Sequence, residues 1–95
     1  MADITVPLSK GYTVHDKTFD KIVLREPTYV EICMQGLGRP QEWQKTNTGD
    51  MLVTYPQVVD AYVQKTLVSP DYAMITGLST ADTLKLVDAV CGFFP

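Results

Sequence analysis

Few side chains in this 95-residue chain have the type and the spacing that enzyme chemistry requires. His15 is the only histidine, and Cys33 and Cys91 lack C-x-x-C spacing, so a zinc set of Cys and His ligands is missing. His15 lies in a polar turn segment, where a histidine is most often exposed to solvent. The two cysteines lie in apolar helical patterns, and we interpret them as reduced, buried thiols. We therefore expect no catalytic residue and no metal ion.

The glycines and the carboxylates also lack a catalytic or cofactor-binding pattern. The six glycines form neither G-x-G-x-x-G nor G-x-x-x-x-G-K-[ST], so we expect no phosphate-binding loop. Asp16 and Asp20 bracket a turn, and Asp60 shares a polar helix face with Lys65, which indicates solvated charge. The sequence thus predicts a protein that is not an enzyme and that holds no cofactor.

A binding surface is the remaining route to function. Trp43, the only tryptophan, lies in a polar segment, where it either fixes that segment to the core or presents an anchor to a partner. Two later helical patterns carry more apolar positions than one hairpin and a short helix can cover. Either this surface is all core, or part of it binds another helix or a second copy. The candidate contact residues are Trp43, Tyr62, Val63, Leu67, Leu86, Phe93 and Phe94.

The end of the sequence predicts self-association. Phe93 and Phe94 come just before Pro95, with little following chain to bury them. Full burial of a Phe side chain is worth about 1.5–3 kcal/mol, so leaving two of them in water is unfavourable for so small a domain. We therefore expect a homo-oligomer that forms through the C-terminal helix.

Charge and composition exclude two classes of partner. The formal net charge is −3, so no basic field attracts nucleic acid or anionic lipid. The longest apolar runs are far shorter than the ~20 residues of a membrane-spanning helix. The first residues, Met-Ala-Asp-Ile, have neither the basic region nor the apolar core of a signal peptide. We expect a cytosolic protein that binds neither nucleic acid nor a membrane.

The N-terminal part of the chain predicts a β-hairpin over residues 3–25. Ile4, Val6 and Leu8 alternate with polar residues or proline, which is typical of a strand with one buried face. Pro7 lacks an amide donor, so this strand is expected at a sheet edge, with a bulge near Lys10-Gly11. The chain returns through "TFDKIVLR" after a turn near His15-Asp16.

The stretch "LREPT" marks an abrupt change from strand to helix. Pro27 disfavours helical geometry at the residue before it, and Thr28 and Glu31 have the T-x-x-E spacing of a capping box. A short helix is expected from Thr28, ending by Gly36. Residues 36–54 carry no sustained period and are interpreted as a loop with at most one turn of helix.

The last forty residues predict the main helices. Residues 55–67 show the i, i+4 pattern of an amphipathic helix. Ser69-Pro70-Asp71 predicts the start of a brief helical segment, with Ser69 as its N-cap, that ends at Gly77. Ser79 is expected to cap the final helix, with Asp82 three residues on. The chain is therefore expected to be one α+β domain over residues 1–95, in which the N-terminal β-hairpin packs on a small bundle of three to four helices over about 28–94.

The order of these features resembles a known family, the tail assembly chaperones of contractile-tailed, Mu-like phages and prophages. The shared pattern is an "I-T-V-x-L" strand, a return through "L-R-E-P-T", and a closing helix that ends in "G-F-F". His15-Asp16 stands where the family has an Asp-Gly type of turn, and residues 36–54 match no part of the pattern. The matching residues are Ile4, Thr5, Val6, Leu8, Ile22, Leu24, Arg25, Glu26, Pro27, Thr28, Leu78, Asp82, Leu86, Ala89, Val90, Gly92, Phe93 and Phe94.

The resemblance implies a function and partners. It implies a non-catalytic chaperone in the cytoplasm of the bacterial host, which binds the tape-measure protein and keeps it soluble during tail tube assembly. The tail tube protein is a second candidate partner. One alternative is a small structural or adaptor subunit of a phage particle. A helix-turn-helix regulator is a further one, disfavoured because "STADTLKLVDAV" has one lysine against two aspartates.

Overall fold

A computed structural model describes residues 3–94, so Met1, Ala2 and Pro95 of the predicted domain lie outside the described residues. The fold is α+β, as the sequence predicts. Within the described residues, four segments are helical, of which two are α-helices. In chain order, the elements are β1 (Ile4–Val14), β2 (Lys17–Leu24), a π turn (Val30–Met34), β3 (Gln41–Thr46), β4 (Gly49–Thr54), α1 (Pro56–Thr66), β5 (Leu67–Ser69), a 3₁₀ helix (Tyr72–Gly77) and α2 (Thr80–Cys91).

The N-terminal hairpin forms as the sequence predicts. Strands β1 and β2 pair antiparallel, and β1 is an edge strand, so the missing amide of Pro7 interrupts no inner ladder. His15 and Asp16 form the two-residue turn with φ angles of 50° and 65°. Positive φ at both positions is the type I′ geometry, which matches the right-handed twist of the flanking strands.

The predicted bulge in β1 is present. Pro7 pairs with Lys21 and Tyr12 pairs with Phe19, so residues 8–11 lie opposite a single residue of β2. This bulge brings Ser9 and Tyr12 to the start of α2. The edge strand is therefore attached to the last helix as well as to β2.

The attachment point is the buried carboxylate of Asp82. It accepts hydrogen bonds from the Ser9 amide at 2.9 Å, the Ser9 hydroxyl at 2.9 Å and the Tyr12 hydroxyl at 2.5 Å. These bonds, first of all the one from Tyr12, lower the pKa of Asp82 from 3.8 to about 2. Ser79 is the N-cap of α2, as predicted, and accepts from the Asp82 amide. The reciprocal half of a capping box is absent, because the Ser79 amide donates to the Tyr12 hydroxyl instead.

The "LREPT" junction has the predicted capping box, although only one π turn follows it. The Thr28 amide donates to Glu31 Oε1 at 3.0 Å, and the Glu31 amide donates to Thr28 Oγ1 at 3.4 Å. Arg25 forms a two-pronged ion pair with the Glu31 carboxylate at 2.9 and 2.6 Å. Arg25 Nη2 also donates to the carbonyl of Lys65, near the end of α1. The junction thus connects β2, the π turn and α1.

The sequence did not predict the short strand β5, which is the third strand of the N-terminal sheet. Strand β5 follows α1 directly and pairs antiparallel with β2, so the sheet order is β1-β2-β5. The predicted N-cap at Ser69 is wrong, because Ser69 belongs to this strand and Asp71 precedes the 3₁₀ helix. The end of that helix at Gly77 is confirmed. Three residues carry too short a pattern to reveal a strand that depends on its neighbour β2.

The prediction of a loop over residues 36–54 is wrong from Gln41 onward. Strands β3 and β4 form a second antiparallel hairpin, with Asn47-Thr48 as its turn. We call residues 41–54 the arm. The arm forms a separate two-stranded sheet, and most of its residues are exposed. Because neither face is fully buried, no regular alternation of apolar and polar residues was required in the sequence.

The core lies between the three-stranded sheet and the two α-helices. The predicted apolar faces of α1 and α2 are confirmed in outline, and the ring of Phe94 packs on Tyr62 with centroids 5.2 Å apart. Cys91 is buried as predicted, but Cys33 is exposed, so that prediction is wrong. The buried apolar residues are Val6, Ile22, Leu24, Val59, Tyr62, Val63, Ile75, Leu86, Val90 and Cys91.

A candidate protein-binding groove

A groove of about 690 Å³ opens between α1, α2 and the 3₁₀ helix. Its floor is made of core residues, among them Val59, Val63 and Leu86, which are 3–6% exposed. These side chains reach the groove because no further element of residues 3–94 covers the space between the two α-helices on this side. The predicted contact residues Val63 and Leu86 are therefore floor residues that have little surface of their own to offer.

The upper part of the groove is more exposed and was largely missed from the sequence. Leu84 of α2 is 57% exposed and Tyr72 of the 3₁₀ helix is 39% exposed, and both line the groove. Leu84 belongs to the apolar stripe of α2, so the sequence contained the signal. The stripe alone did not show that Leu84 lies beyond the cover of the sheet.

Five of the predicted contact residues do not line the groove: Trp43, which lies on a neighbouring hairpin, and Tyr62, Leu67, Phe93 and Phe94. Tyr62 is fully buried and donates its hydroxyl to the Gly38 carbonyl, so its prediction as a surface contact is wrong. Leu67, Phe93 and Phe94 are half-buried and pack against the core. Their placement leaves the predicted self-association untested.

The arm meets the groove at its base and carries a further apolar pair. Gln41 and Thr54 pair across its base, share a hydrogen bond of 2.9 Å and line the groove. Trp43 pairs with Leu52 two residues further along each strand. Because side chains alternate across a strand, Trp43 and Leu52 project from the same face of the arm as Gln41 and Thr54. We call this face, from Gln41 and Thr54 to Trp43 and Leu52, the arm face.

Trp43 lies on the arm and not in the core. Its side chain is 70% exposed, and Leu52 opposite it is 44% exposed. The interpretation in which Trp43 fixes its segment to the core is therefore wrong. A large aromatic side chain left in water on a projecting hairpin has the exposure that an anchor for a partner requires.

The charged groups of the groove are all acidic. Asp60 of α1 and Asp88 of α2 line it from different helices. The Tyr72 hydroxyl donates to Asp60 Oδ1 at 2.6 Å, which raises the pKa of Tyr72, and Gln64 Nε2 donates to Asp60 Oδ2 at 2.9 Å. Among residues 3–94, neither Asp60 nor Asp88 forms an ion pair. Two carboxylates without a cation therefore flank an apolar surface.

The histidine and the buried cysteine lie apart from the groove. His15 is in the hairpin turn, and Cys91 is buried, which raises the pKa of its thiol. No three His, Cys, Asp or Glu side chains of the described chain are grouped so as to hold a metal ion. In the same part of the chain, no helix is long and apolar enough to cross a membrane.

A second exposed apolar patch lies on the π turn. Tyr29 and Met34 are each 72% exposed, and Val30 is 47% exposed. None of the three lines the groove. These residues therefore provide exposed apolar positions outside the groove against which groove variants can be compared.

No protein-family model matches the chain, and neither a curated protein nor a solved structure matches it. The shape and the chemistry of the groove and the arm, together with the residue pattern of the sequence, therefore carry the assignment of function.

Proposed function

We propose that this chain is a non-catalytic tail assembly chaperone, which binds a tape-measure protein in the bacterial cytoplasm and keeps it soluble while the tail tube assembles. The observation that carries the proposal is the open apolar groove between α1, α2 and the 3₁₀ helix. The pattern from the "LREPT" junction to the closing "GFF" supports the same family.

The physical chemistry of such a client matches the groove. A tape-measure chain is long, helical and apolar on one face, so it aggregates until tube subunits enclose it. A groove with a preformed apolar floor covers such a face through helix-in-groove contacts. It releases the client again, because most of the chaperone's own core stays closed when the groove is empty. The net charge of −3 adds repulsion between covered complexes. The tail tube protein is a second candidate partner, met when the client is handed over.

Co-expression with the tape-measure protein of the same phage or prophage tests the proposal. We expect the wild-type chain to raise the soluble fraction of that protein, and Leu84→Asp to abolish the effect, because it puts a charge on the groove wall at a residue that is 57% exposed. Met34→Asp is the matched control, since Met34 is 72% exposed outside the groove. Circular dichroism and the thermal midpoint establish that both variants fold.

The solubility measured with these variants distinguishes the groove from the arm as the client-binding surface. If Leu84→Asp and Met34→Asp act alike, the groove is not the client site. If folded groove variants keep the activity and only Trp43→Ala loses it, the arm alone binds the client. A soluble fraction that does not depend on the presence of this chain contradicts the chaperone function itself.

Self-association is a separate part of the proposal. Phe93 and Phe94 keep part of their surface exposed at the end of α2, where a second copy can cover it. Light scattering of the wild type and of Phe93→Ser/Phe94→Ser measures this. A wild type that is monomeric at tens of micromolar contradicts it.

The arm favours one alternative function. A projecting hairpin with an exposed tryptophan is also how a small structural or adaptor subunit attaches to its neighbours in a particle. Such a subunit remains in finished virions, whereas a chaperone is absent from them. Mass spectrometry of purified particles therefore distinguishes the two.

A further inference from the structure

We propose that the groove and the arm face form one docking site for a single amphipathic helix of about two turns, which carries lysine or arginine on both sides of its apolar face. This inference deepens the proposed function, on which it rests, by naming the chemistry of the bound segment. It is carried by the length of the groove, the position of the arm face and the charge of the lining.

The length of the groove sets the length of the bound helix. The groove lining runs from Pro56 to Val63 on α1 and from Thr83 to Asp88 on α2, which form its two long sides. At 1.5 Å per residue these stretches extend for roughly 9–12 Å, which matches about two turns of a third helix. A helix of that length presents apolar side chains at i, i+3 or i+4, and i+7 to the floor. The exposed side chains of Leu84 and Tyr72 then close around them.

The arm face provides a further wall for such a helix. Gln41 and Thr54 belong both to the groove lining and to the arm face, so the two surfaces are continuous. Trp43 and Leu52 extend this wall away from the floor. Tryptophan is one of the residue types enriched at binding hot spots, where the partner covers it completely.

The charge of the lining selects a basic partner. Asp60 and Asp88 come from opposite sides of the groove, and the lining contains no lysine or arginine. A helix whose apolar face is flanked by cations therefore meets a carboxylate on each side. An acidic helix in the same position would bring like charges together as they lose water, which is unfavourable.

A second copy of this chain lacks the flanking cations that the acidic lining of the groove selects. Its other exposed apolar helical segment, the π turn, lies in residues 26–38, which contain two glutamates and no lysine or arginine. Helix α2 carries Asp82 and Asp88 against Lys85. On the arm, Lys45 pairs directly with Asp50. None of these segments has an apolar face between two rows of cations.

Peptide binding tests the inference, with Trp43 as the reporter because it is the only tryptophan. The probes are two helical peptides of about 14 residues with the same leucine spacing, one flanked by lysines and one by glutamates. In low salt we expect the lysine peptide to bind at least tenfold more tightly than the glutamate peptide, and to shift the Trp43 emission to shorter wavelength. The difference should shrink in 1 M salt, since screening acts on the ion pairs alone.

Four variants locate the site on the chain. Leu84→Asp should reduce binding of both peptides by at least tenfold, and Asp88→Lys should weaken the lysine peptide while strengthening the glutamate peptide. Met34→Asp and Asp20→Lys make equivalent changes at exposed positions outside the groove, and both should bind as the wild type does. Circular dichroism and thermal midpoints confirm that each variant is folded.

Each outcome decides for or against the inference. Equal binding of the two peptides, no binding of either, calorimetric binding without a change in Trp43 emission, or self-association that Leu84→Asp abolishes would each overturn it. If the lysine peptide fails while the tape-measure protein is still kept soluble, the inference fails and the proposed function stands. If the lysine peptide binds as expected but the tape-measure protein is not kept soluble, the proposed function fails and the groove's preference stands.

Discussion

The ion pair at the "LREPT" junction leads to a quantitative prediction for Glu31→Gln. The Glu31 carboxylate is 8% exposed and accepts from both terminal nitrogens of Arg25, as well as from the amide and the hydroxyl of Thr28. Glutamine has the same shape but only one acceptor oxygen. Its amide nitrogen would face a donor of Arg25, so the substitution removes the charge and places donor against donor.

The expected cost follows from the geometry. A hydrogen bond to a charged group contributes about 1.5–3 kcal/mol, but Arg25 is 30% exposed, so water replaces part of what it loses. We expect Glu31→Gln to lower the free energy of unfolding by about 1–3 kcal/mol. For a domain of this size, each kcal/mol corresponds to about 4–8 °C in the thermal midpoint. The exposed neighbour Glu26 provides the control, and Glu26→Gln should change the stability by less than about 0.5 kcal/mol.

The pH dependence separates this ion pair from other effects. The hydrogen bonds from Arg25, and after them the one from the Thr28 amide, lower the pKa of Glu31 from 4.5 to about 2, opposing the effect of burial. A lowered pKa in the folded state stabilises the protein above the unfolded-state value, and this stabilisation is lost as the pH falls toward about 2. The stability difference between the wild type and Glu31→Gln should therefore be full at pH 7 and shrink between pH 4.5 and 2.

Urea unfolding at several pH values measures this difference. The lowered pKa of Asp82 acts on both proteins alike and cancels in the comparison. The reasoning is refuted if the difference between the two proteins stays constant from pH 7 to pH 3. It is also refuted if Glu31→Gln is no less stable at pH 7 than Glu26→Gln.

Two further substitutions test the hairpin and its attachment. Asp82→Asn should lower the thermal midpoint more than Asp88→Asn, because a single amide oxygen cannot replace the carboxylate that accepts from Ser9 and Tyr12. The difference between the two midpoints should disappear as the pH falls toward 2. Equal midpoints at pH 7 would contradict the prediction. His15→Asn combined with Asp16→Gly should raise the free energy of unfolding by about 1 kcal/mol, because both positions have positive φ. If urea unfolding shows a loss of stability instead, the side chains of His15 and Asp16 stabilise the turn more than the relief of backbone strain does.

The binding surface and the stabilising interactions are located in different parts of this fold. The Arg25–Glu31 ion pair and the buried Asp82 cluster, which Lys85 Nζ approaches at 3.9 Å, connect β1, β2, the π turn and the helix ends. The groove wall and the arm face contribute little to that network, since Leu84 and Trp43 are largely exposed. Substitutions at these two positions can therefore test binding without unfolding the protein.

The sequence by itself determined the elements whose signals are local. Alternation of apolar residues predicted β1 and β2, the spacing of Thr28 and Glu31 predicted the capping box, and the period of residues 55–67 predicted α1. Each of these depends on residues within about four positions of one another, so a single pattern contains the whole cause. The N-cap at Ser79 and the end of the 3₁₀ helix at Gly77 belong to the same group.

Only the tertiary structure decided what lies on the surface. Tyr62 and Leu84 belong to similar apolar stripes, yet one is fully buried and the other is 57% exposed, because the sheet covers one part of the helix pair and leaves another part open. The arm was missed because neither of its faces is fully buried, and β5 was missed because it exists through its pairing with β2. The groove is a space between elements that are distant along the chain, and for that reason no local pattern specifies it.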